Sequence, residues 1–322
     1  MTLNDPMGSI GGYLGLGPIN VPSPHQGAIA LDLGRHALEL ILRIRSHHRL
    51  FAPRYTCEVL APAIQAAGVE LVFYDLDERL DPLLPARRPA PGDALLYTNY
   101  FGLKQATVHA LAATVPHLIV DNAQDFYGPV PKGADGFVSC RKFFGVPDGA
   151  YLHCEAARDE VLASADATGR WAHLLVAAEQ GTEAGFSLYQ EHERRLADAP
   201  VRGMSHLTAQ VMNGIDHAQV MAARRRNRDR LHAALHNLNR LPINPAAAGV
   251  PMVYPFLPDD GPALRGQLQA ARIYTARYWP GLLAPLAPSD GGYRLTDDVI
   301  FLPVDQRYGA EHMDRILDVV TE

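Results

Sequence analysis

The 322-residue sequence lacks any apolar run long enough to cross a membrane as a helix. Residues 1–17 contain no basic segment followed by an apolar one, so we find no secretory signal and expect a cytoplasmic protein. The three cysteines, Cys57, Cys140 and Cys154, lack the spacing of metal ligands, and their odd number fits reduced thiols. No metal site is therefore predicted.

A strong excess of charge of one sign is also missing, since the formal net charge is −6. This balance gives no general attraction to nucleic acid; the local exception is a basic run of Arg224, Arg225, Arg226, Arg228 and Arg230. On a helix these positions spread over more than one face. We interpret them mainly as a solvated helix surface, with anion or partner binding as the alternative. Neither a nucleic-acid partner nor a membrane partner is predicted.

The composition that is present, 48% hydrophobic and 20% charged residues, is that of a globular protein with a sizeable core. From residue 49 onward, short and nearly continuous apolar runs alternate with segments of helical spacing. This pattern is typical of a mostly parallel sheet that is covered by helices on both faces. The predicted strands are 50–53, 68–74, 94–100 and 117–121. The fold class is therefore α/β.

The length suits a large domain followed by a smaller one. We predict an irregular N-terminal arm at 1–30, a large domain at 31–200, and a connector helix with a small α/β domain at 201–322. The connector is expected as one helix that runs from Leu207 to Leu238. A further helix is expected at 155–165.

The segment from Phe137 to Tyr151 contains a lysine in unusual surroundings. Lys142 follows Ser139 by three positions, has apolar neighbours and precedes two glycines. An ammonium group in apolar surroundings loses solvation, which favours the free amine, a nucleophile towards carbonyl compounds. The alternative is a simple turn in which Arg141 and Lys142 are two charges between strands.

Two further features fit a bound anion and a bound cation. Gly34 opens a helix, and the amides of a first helical turn can hold a phosphate, although a glycine there is also typical of a plain turn. Asp121 ends a buried strand and needs a cation or a strong donor, with capping of the next turn as the alternative. Asn99, Tyr100 and Asp121 would all lie at the carboxyl ends of strands, where α/β sheets bind ligands.

Four motifs follow one another in the chain: Gly34-Arg35-His36, Asn99-Tyr100-Phe101-Gly102, Asp121-Asn122-Ala123-Gln124 and Ser139-Cys140-Arg141-Lys142. In this order and spacing they resemble the fold-type I pyridoxal phosphate enzymes, and more narrowly the DegT/DnrJ/EryC1/StrS aminotransferase family. The resemblance covers most of the chain, including the tail from Leu302 to Tyr308. It implies a large pyridoxal phosphate-binding domain with a mostly parallel sheet and a smaller C-terminal α/β domain.

The resemblance also implies roles for individual residues. Lys142 would form the internal aldimine and move the proton, and Asp121 would face the pyridinium nitrogen of the cofactor. Gln124 would hydrogen-bond the phenolic oxygen of the cofactor ring. The phosphate would be held by Ser139 and by the backbone amides around Gly34, Arg35 and His36.

The sequence departs from the family pattern at two places. Where relatives place an aromatic residue or a histidine against the cofactor ring, this chain offers Tyr55, Cys57 or Tyr100, and the sequence does not select among them. Relatives also have a Gly-x-Asn segment that reaches the phosphate of a neighbouring subunit, whereas this chain has Ser205 there. The chain is therefore a divergent example of the pattern.

The function that the resemblance implies is transfer of an amino group from an amino acid to a keto sugar, with a nucleotide-linked sugar as the expected acceptor. The alternatives are a pyridoxal phosphate-dependent lyase, dehydratase or racemase, and a non-catalytic binding descendant of the fold. Arg277 and Arg307 are candidates for binding a substrate carboxylate or phosphate, with a packed surface loop as the alternative. A homodimer is implied by the resemblance.

Overall fold

The computed structural model describes residues 23–84, 89–283 and 291–322. Most of the predicted arm, residues 1–22, lies outside the described residues. Within these ranges, no helix combines the length and the apolar character that a membrane crossing requires.

The described chain contains two sheets and ten α-helices. The strands are β1 Ile29–Leu31, β2 Arg49–Pro53, β3 Glu70–Leu76, β4 Pro82–Leu83, β5 Asp93–Thr98, β6 Leu118–Asn122, β7 Asp135–Ser139, β8 Ala150–His153, β9 Val253–Phe256 and β10 Ile300–Pro303. The helices are α1 Gly34–Ile44, α2 Leu60–Ala66, α3 Gln105–Thr114, α4 Ala172–Gln180, α5 Phe186–Ala197, α6 His206–Met212, α7 His217–Leu235, α8 Gly261–Ala270, α9 Gly291–Asp297 and α10 Ala310–Thr321.

The main sheet has eight strands in the order β1-β8-β7-β6-β5-β2-β3-β4. The five central strands, from β7 to β3, run parallel, whereas β8 and β4 pair antiparallel at the two sides. Strands β5, β6 and β7 are buried along their whole length, which explains the apolar runs within β5 and β6. The expected mostly parallel α/β sheet is confirmed.

Two of the hydrophobic clusters that hold helices on the sheet differ in the elements that they join. One joins α1 and α2 to the sheet and includes Leu38, Ile41 and Ile64. The other, which we call the aromatic cluster, contains Tyr55, Tyr97, Tyr100, Phe101, Trp279 and Phe301. Because Trp279 and Phe301 come from the C-terminal part of the chain, this cluster joins that part to the main sheet.

The C-terminal part has a core of its own. Strands β9 and β10 form a two-stranded antiparallel sheet, and their buried residues Tyr254 and Ile300 pack with Leu231, Leu268 and Met313 from α7, α8 and α10. This arrangement supports a smaller α/β unit after the connector. The exact domain bounds stay a prediction.

Two predicted helices are wrong. The expected connector helix is interrupted between α6 and α7, because the chain turns at Gly214 and Asp216 caps the new helix by accepting from the Gln219 amide at 3.0 Å. At 155–165 the chain forms only a short 3₁₀ turn, Glu155–Ala157, and no α-helix. Apolar spacing alone did not reveal either of these breaks.

The arginine run on α7 is also not simply a solvated surface. Arg225, Arg226 and Arg230 are exposed as expected, but Arg224 and Arg228 are buried. These two are four residues apart and therefore lie on the same side of the helix, the side that packs against the body.

Candidate active site

The candidate site lies at the carboxyl edge of the parallel strands. Strands β5, β6 and β7 run in the same direction, so their ends at Thr98, Asn122 and Ser139 meet at one edge of the sheet. Asp121 pairs with Thr98 across β5 and β6, and Lys142 ends the 3₁₀ turn that follows β7. The topology thus brings together residues from the separate motifs.

Lys142 is exposed, whereas Cys140 before it and Phe143 after it are buried. The expectation that its side chain is held in apolar surroundings is therefore wrong. The apolar neighbours anchor the turn in the core, and the lysine itself projects from that turn. The chain contains only two other lysines: Lys104, which forms an ion pair with Asp81 at 2.7 Å, and Lys132, which is exposed in a turn.

Asp121 is a buried carboxyl group near Lys142. Its Oδ1 accepts a hydrogen bond from the Ala123 amide at 2.8 Å. Burial raises the pKa of Asp121, and the charge of Lys142 opposes this rise. The local bond to Ala123 is the turn-capping role considered from the sequence. Because this one hydrogen bond does not offset the loss of solvation of a buried carboxylate, a cationic partner would stabilise Asp121 further.

Gln124 is fully buried, and its orientation is fixed by the backbone. Its Oε1 accepts from the Phe101 amide at 2.7 Å. Because an amide N–H can only donate, the side-chain nitrogen of Gln124 must point the other way, and it has no hydrogen-bond partner among the described residues. A buried donor without an acceptor is costly, so this nitrogen is suited to meet an acceptor on a ligand.

The backbone of Phe101, whose amide orients Gln124, is strained. Its φ is 57°, in the left-handed region that a bulky residue rarely adopts. Its ring packs in the aromatic cluster against Phe301, with ring centroids 5.0 Å apart. Packing of the ring therefore maintains the strained turn that orients Gln124.

The first turn of α1 is open to an anion. Leu33 precedes the helix without a side-chain cap, so the amides of Gly34, Arg35 and His36 have no helical acceptor. The side chains have other partners: Nδ1 of His36 lies 2.6 Å from Oδ1 of the buried Asp32, and the Arg35 guanidinium donates to the Leu196 carbonyl. Any contact with a phosphate would therefore come from the backbone, as expected.

Ser139 is buried at the end of β7 and precedes the turn that contains Lys142. Its side chain does not cap this turn. The hydroxyl therefore has hydrogen-bonding capacity left for a ligand at the same edge of the sheet.

The three candidates for stacking on a cofactor ring have different surroundings in the structure. Tyr55 and Tyr100 stack on one another in the aromatic cluster, with centroids 5.6 Å apart, and the Tyr100 hydroxyl donates to the Tyr55 carbonyl at 2.6 Å. Cys57 is half-buried. Burial raises the pKa of its thiol, and the nearby Lys142 opposes this rise. Of the three, Cys57 is the one whose pKa is affected by the charge of Lys142, and the choice of the stacking residue stays a prediction.

The two candidate substrate arginines already have carboxylate partners. Arg277 pairs with Asp297, and Arg307 makes two hydrogen bonds to Asp305 at 2.7 and 2.9 Å. Arg307 lines a cavity of about 530 Å³ together with Arg272, and Lys142 is not among its lining residues. Their role in substrate binding stays a prediction.

Ser205, the second departure from the family pattern, has partners within its own chain. It caps α6 by accepting from the Thr208 amide at 3.2 Å, and its own amide donates to the buried Asp148 at 3.2 Å. These contacts give the serine a structural role.

Sequence reasoning did not identify a buried polar scaffold beside the site. The Asn99 side chain donates to Asn122 at 3.0 Å and to Asp125 at 3.1 Å, and it accepts from the Lys104 amide at 3.0 Å. A Cβ atom at Gly128 would overlap the Asp125 carboxyl, so any larger residue there would force the Asp125 side chain to move. This scaffold ties together the turns that follow β5 and β6.

The scaffold predicts a pH-dependent stability. Burial raises the pKa of Asp125 from 3.8 to about 7, so the folded chain binds this proton more tightly than the unfolded chain. Stability from this group should fall as pH rises from about 4 to about 7. Asp125→Asn is expected to remove the fall and to gain about 2–4 kcal/mol over wild type above pH 7. Urea unfolding across this pH range measures the free energy of unfolding of both proteins. If it depends on pH in the same way in wild type and in Asp125→Asn, Asp125 is not the group responsible.

The fold of this chain is that of a group of solved aminotransferase structures. No profile of a known protein family matches the sequence, and no curated protein matches it. A DegT DnrJ EryC1 StrS aminotransferase from Brucella abortus superposes with a TM-score of 0.60 at 20% identity, covering 91% of this chain and 85% of that chain.

Two further structures show the same likeness. DesV from S. venezuelae, solved in complex with a ketimine intermediate, has a TM-score of 0.63 at 19% identity and covers 91% of this chain and 83% of its own. The putative sugar aminotransferase Spr1654 from Streptococcus pneumoniae, in its PMP form, has a TM-score of 0.61 at 11% identity. The match covers 94% of this chain and 92% of that chain. The expected fold class is confirmed.

Proposed function

We propose that this chain is a pyridoxal phosphate-dependent aminotransferase that moves an amino group from an amino acid to a keto sugar. The observation that carries the proposal is the meeting of Lys142, Asp121 and Gln124 at one edge of the sheet, with the Gln124 nitrogen buried and without an acceptor among the described residues. The fold shared with sugar aminotransferases supports the choice of substrate class.

The residues present fit this cofactor. The open first turn of α1 and Ser139 would hold its phosphate, Gln124 would donate to its phenolic oxygen, and Asp121 would meet its ring nitrogen. When bound, pyridoxal phosphate supplies an electron sink for a carbon next to the amine.

The chain itself supplies the proton handling. The Asp121 carboxylate would keep the facing ring nitrogen protonated, since separation of this pair would leave a buried charge unpaired. Lys142 would accept and return a proton beside the reacting carbon, because its flexible side chain projects from a turn that is anchored in the core.

A spectrum of the purified protein tests the proposal. Added pyridoxal phosphate is expected to give the absorption band of a covalent lysine adduct, and added glutamate is expected to convert the bound cofactor to the pyridoxamine form. A nucleotide-linked keto sugar should then restore the first spectrum. An adduct that reacts with amino acids without conversion would favour a lyase, dehydratase or racemase. Absence of any adduct would contradict the proposal.

Homodimer formation is part of the proposal. Helix α4 buries only His173, and Leu175, Phe186 and Tyr189 on α4 and α5 are exposed to between 43% and 61%. Such an apolar surface is typical of an interface. Light scattering that gives the 35.2 kDa mass of a single chain at micromolar concentration would contradict a dimer.

The proposed location is the cytoplasm. All three cysteines are free thiols in the structure, which is usual in a reducing compartment.

A further inference from the structure

Arg224 is the largest fully buried side chain of the described residues, with 1% of its surface exposed. Its guanidinium donates to four oxygen atoms: the side chain of Gln306 at 2.8 Å, the carbonyls of Pro251 at 3.0 Å and Met252 at 3.1 Å, and the carbonyl of Phe143 at 3.1 Å. None of these acceptors is a carboxylate. The guanidinium also lies 4.4 Å from the centre of the Phe143 ring.

A buried cation without a carboxylate partner is expensive. Burial lowers the pKa of Arg224 to about 10, so the side chain is still charged at neutral pH. Only a full set of well-placed acceptors offsets such a loss of solvation. An apolar side chain in this space would leave the same acceptors buried without a donor, so the arginine ties together the separate segments that carry them.

The Phe143 carbonyl is the point at which these contacts meet. The side-chain nitrogen of Gln306 donates to it at 2.8 Å, and Oε1 of Gln306 accepts from Arg224. Arg224, Gln306 and the Phe143 carbonyl therefore form a closed triangle of hydrogen bonds. Phe143 directly follows Lys142, so the triangle holds the peptide between Phe143 and Phe144, one residue beyond the lysine.

We propose that Arg224 and Gln306 are positioning residues for Lys142, and that they link the lysine to the C-terminal unit. The inference rests on the proposed function of Lys142. Gln306 follows β10, Pro251 and Met252 precede β9, and Arg224 lies on α7. A shift of any of these elements would therefore move the Lys142 backbone. Misplacement of a reacting group by about 1 Å can cost about 100-fold in rate.

Arg228 provides a matched control for a purely structural role. It is buried on the same side of α7, one turn further along, and donates to the Ala248 carbonyl and to Asp229. It makes no hydrogen bond to the segment 140–146 in the described structure. Arg228→Met should therefore lower stability without changing the position of Lys142.

The first experiment measures formation of the lysine adduct with pyridoxal phosphate. Arg224→Lys keeps the charge but loses the planar set of donors, and Gln306→Leu removes both the donor to the Phe143 carbonyl and the acceptor of the Arg224 Nε–H. Both are expected to slow adduct formation at Lys142 by about 10- to 100-fold relative to wild type and to Arg228→Met. Affinity for deoxypyridoxine phosphate, which lacks the aldehyde, should change less than about threefold.

Equal adduct rates in Arg224→Lys, Gln306→Leu and Arg228→Met would overturn the inference. A parallel loss of affinity for deoxypyridoxine phosphate would also overturn it, because the variants would then have lost cofactor binding as a whole and not the position of Lys142 alone. Gln306→Leu keeps the test valid if Arg224→Lys does not fold.

A second experiment does not depend on the cofactor. Reductive methylation with ¹³C labels the three lysine side chains of the wild-type chain, the one additional lysine of Arg224→Lys and the terminal amine, so each NMR signal can be assigned with single variants. The Lys142 signal is expected to shift or broaden in Arg224→Lys and in Gln306→Leu, whereas the Lys132 signal should stay constant. An unchanged Lys142 signal would overturn the positioning role. Failure of wild type to bind pyridoxal phosphate would instead overturn the proposed function, while this measurement still decides the positioning role.

Discussion

Lys142→Ala is expected to abolish covalent capture of pyridoxal phosphate and to lower turnover by about 1,000-fold or more. The reason is that Lys142 combines two functions in the proposed mechanism, as the nucleophile and as the group that moves the proton. The alternative amines are poorly placed. Lys104 is paired with Asp81, and Lys132 lies in an exposed turn. Absorbance titration and borohydride trapping, followed by peptide mapping, measure the capture.

Lys132→Ala is the matched control, because it removes an exposed lysine from a turn before β7 and leaves the strand end untouched. It should behave as wild type. A trapped adduct on Lys132 or Lys104 in the wild-type protein, or an adduct band that survives in Lys142→Ala, would refute the assignment of Lys142.

Asp121→Asn is expected to lower turnover by about 100-fold or more, which corresponds to about 3 kcal/mol of transition-state stabilisation. An amide cannot keep the facing ring nitrogen protonated, so the electron sink weakens. Binding of the cofactor should be affected less than turnover. A cofactor methylated at the ring nitrogen has a permanent positive charge and should recover part of the lost activity in this variant.

Asp135→Asn is the control for loss of a buried carboxylate. Asp135 begins β7 at the opposite edge of the sheet and accepts two hydrogen bonds from Arg45, each 2.8 Å long. This variant should lose stability but keep its turnover, and the methylated cofactor should not help it. If Asp121→Asn and Asp135→Asn change stability, turnover and the response to the methylated cofactor in the same way, Asp121 has only a structural role.

The sheet could be predicted because several of its strands appear in the sequence as short apolar runs. The predicted strands β5 and β6 consist largely of apolar residues and are buried, and helical spacing between the strands implies parallel connections, whereas β7 was not predicted as a strand. The position of Asp121 at the end of β6 follows from the same pattern. Breaks within helical segments were harder to predict, because Gly214 and Asp216 are compatible with both a helix and a turn until the tertiary contacts are known.

The surroundings of individual side chains were predicted less well. Lys142 has apolar neighbours in sequence, yet the 3₁₀ turn directs it outward, and a linear pattern does not specify that direction. Arg224 looked like one charge among several. Its spacing of four residues from Val220 and from Arg228 was the available signal, since Val220, Arg224 and Arg228 lie on one buried face. The acceptors on residues 143, 251, 252 and 306 are distant in sequence and could not be inferred.

The two edges of the main sheet have a consequence for assembly. At one side the described sheet ends in the three-residue β1, and at the other side in the two-residue β4, which begins with Pro82. Short edges, and a proline that has no amide hydrogen to donate, give another chain little backbone to pair with. Extension of the sheet from one molecule into the next is therefore disfavoured at the described edges, and helical surfaces such as α4 and α5 are the available route for one copy to recognise another.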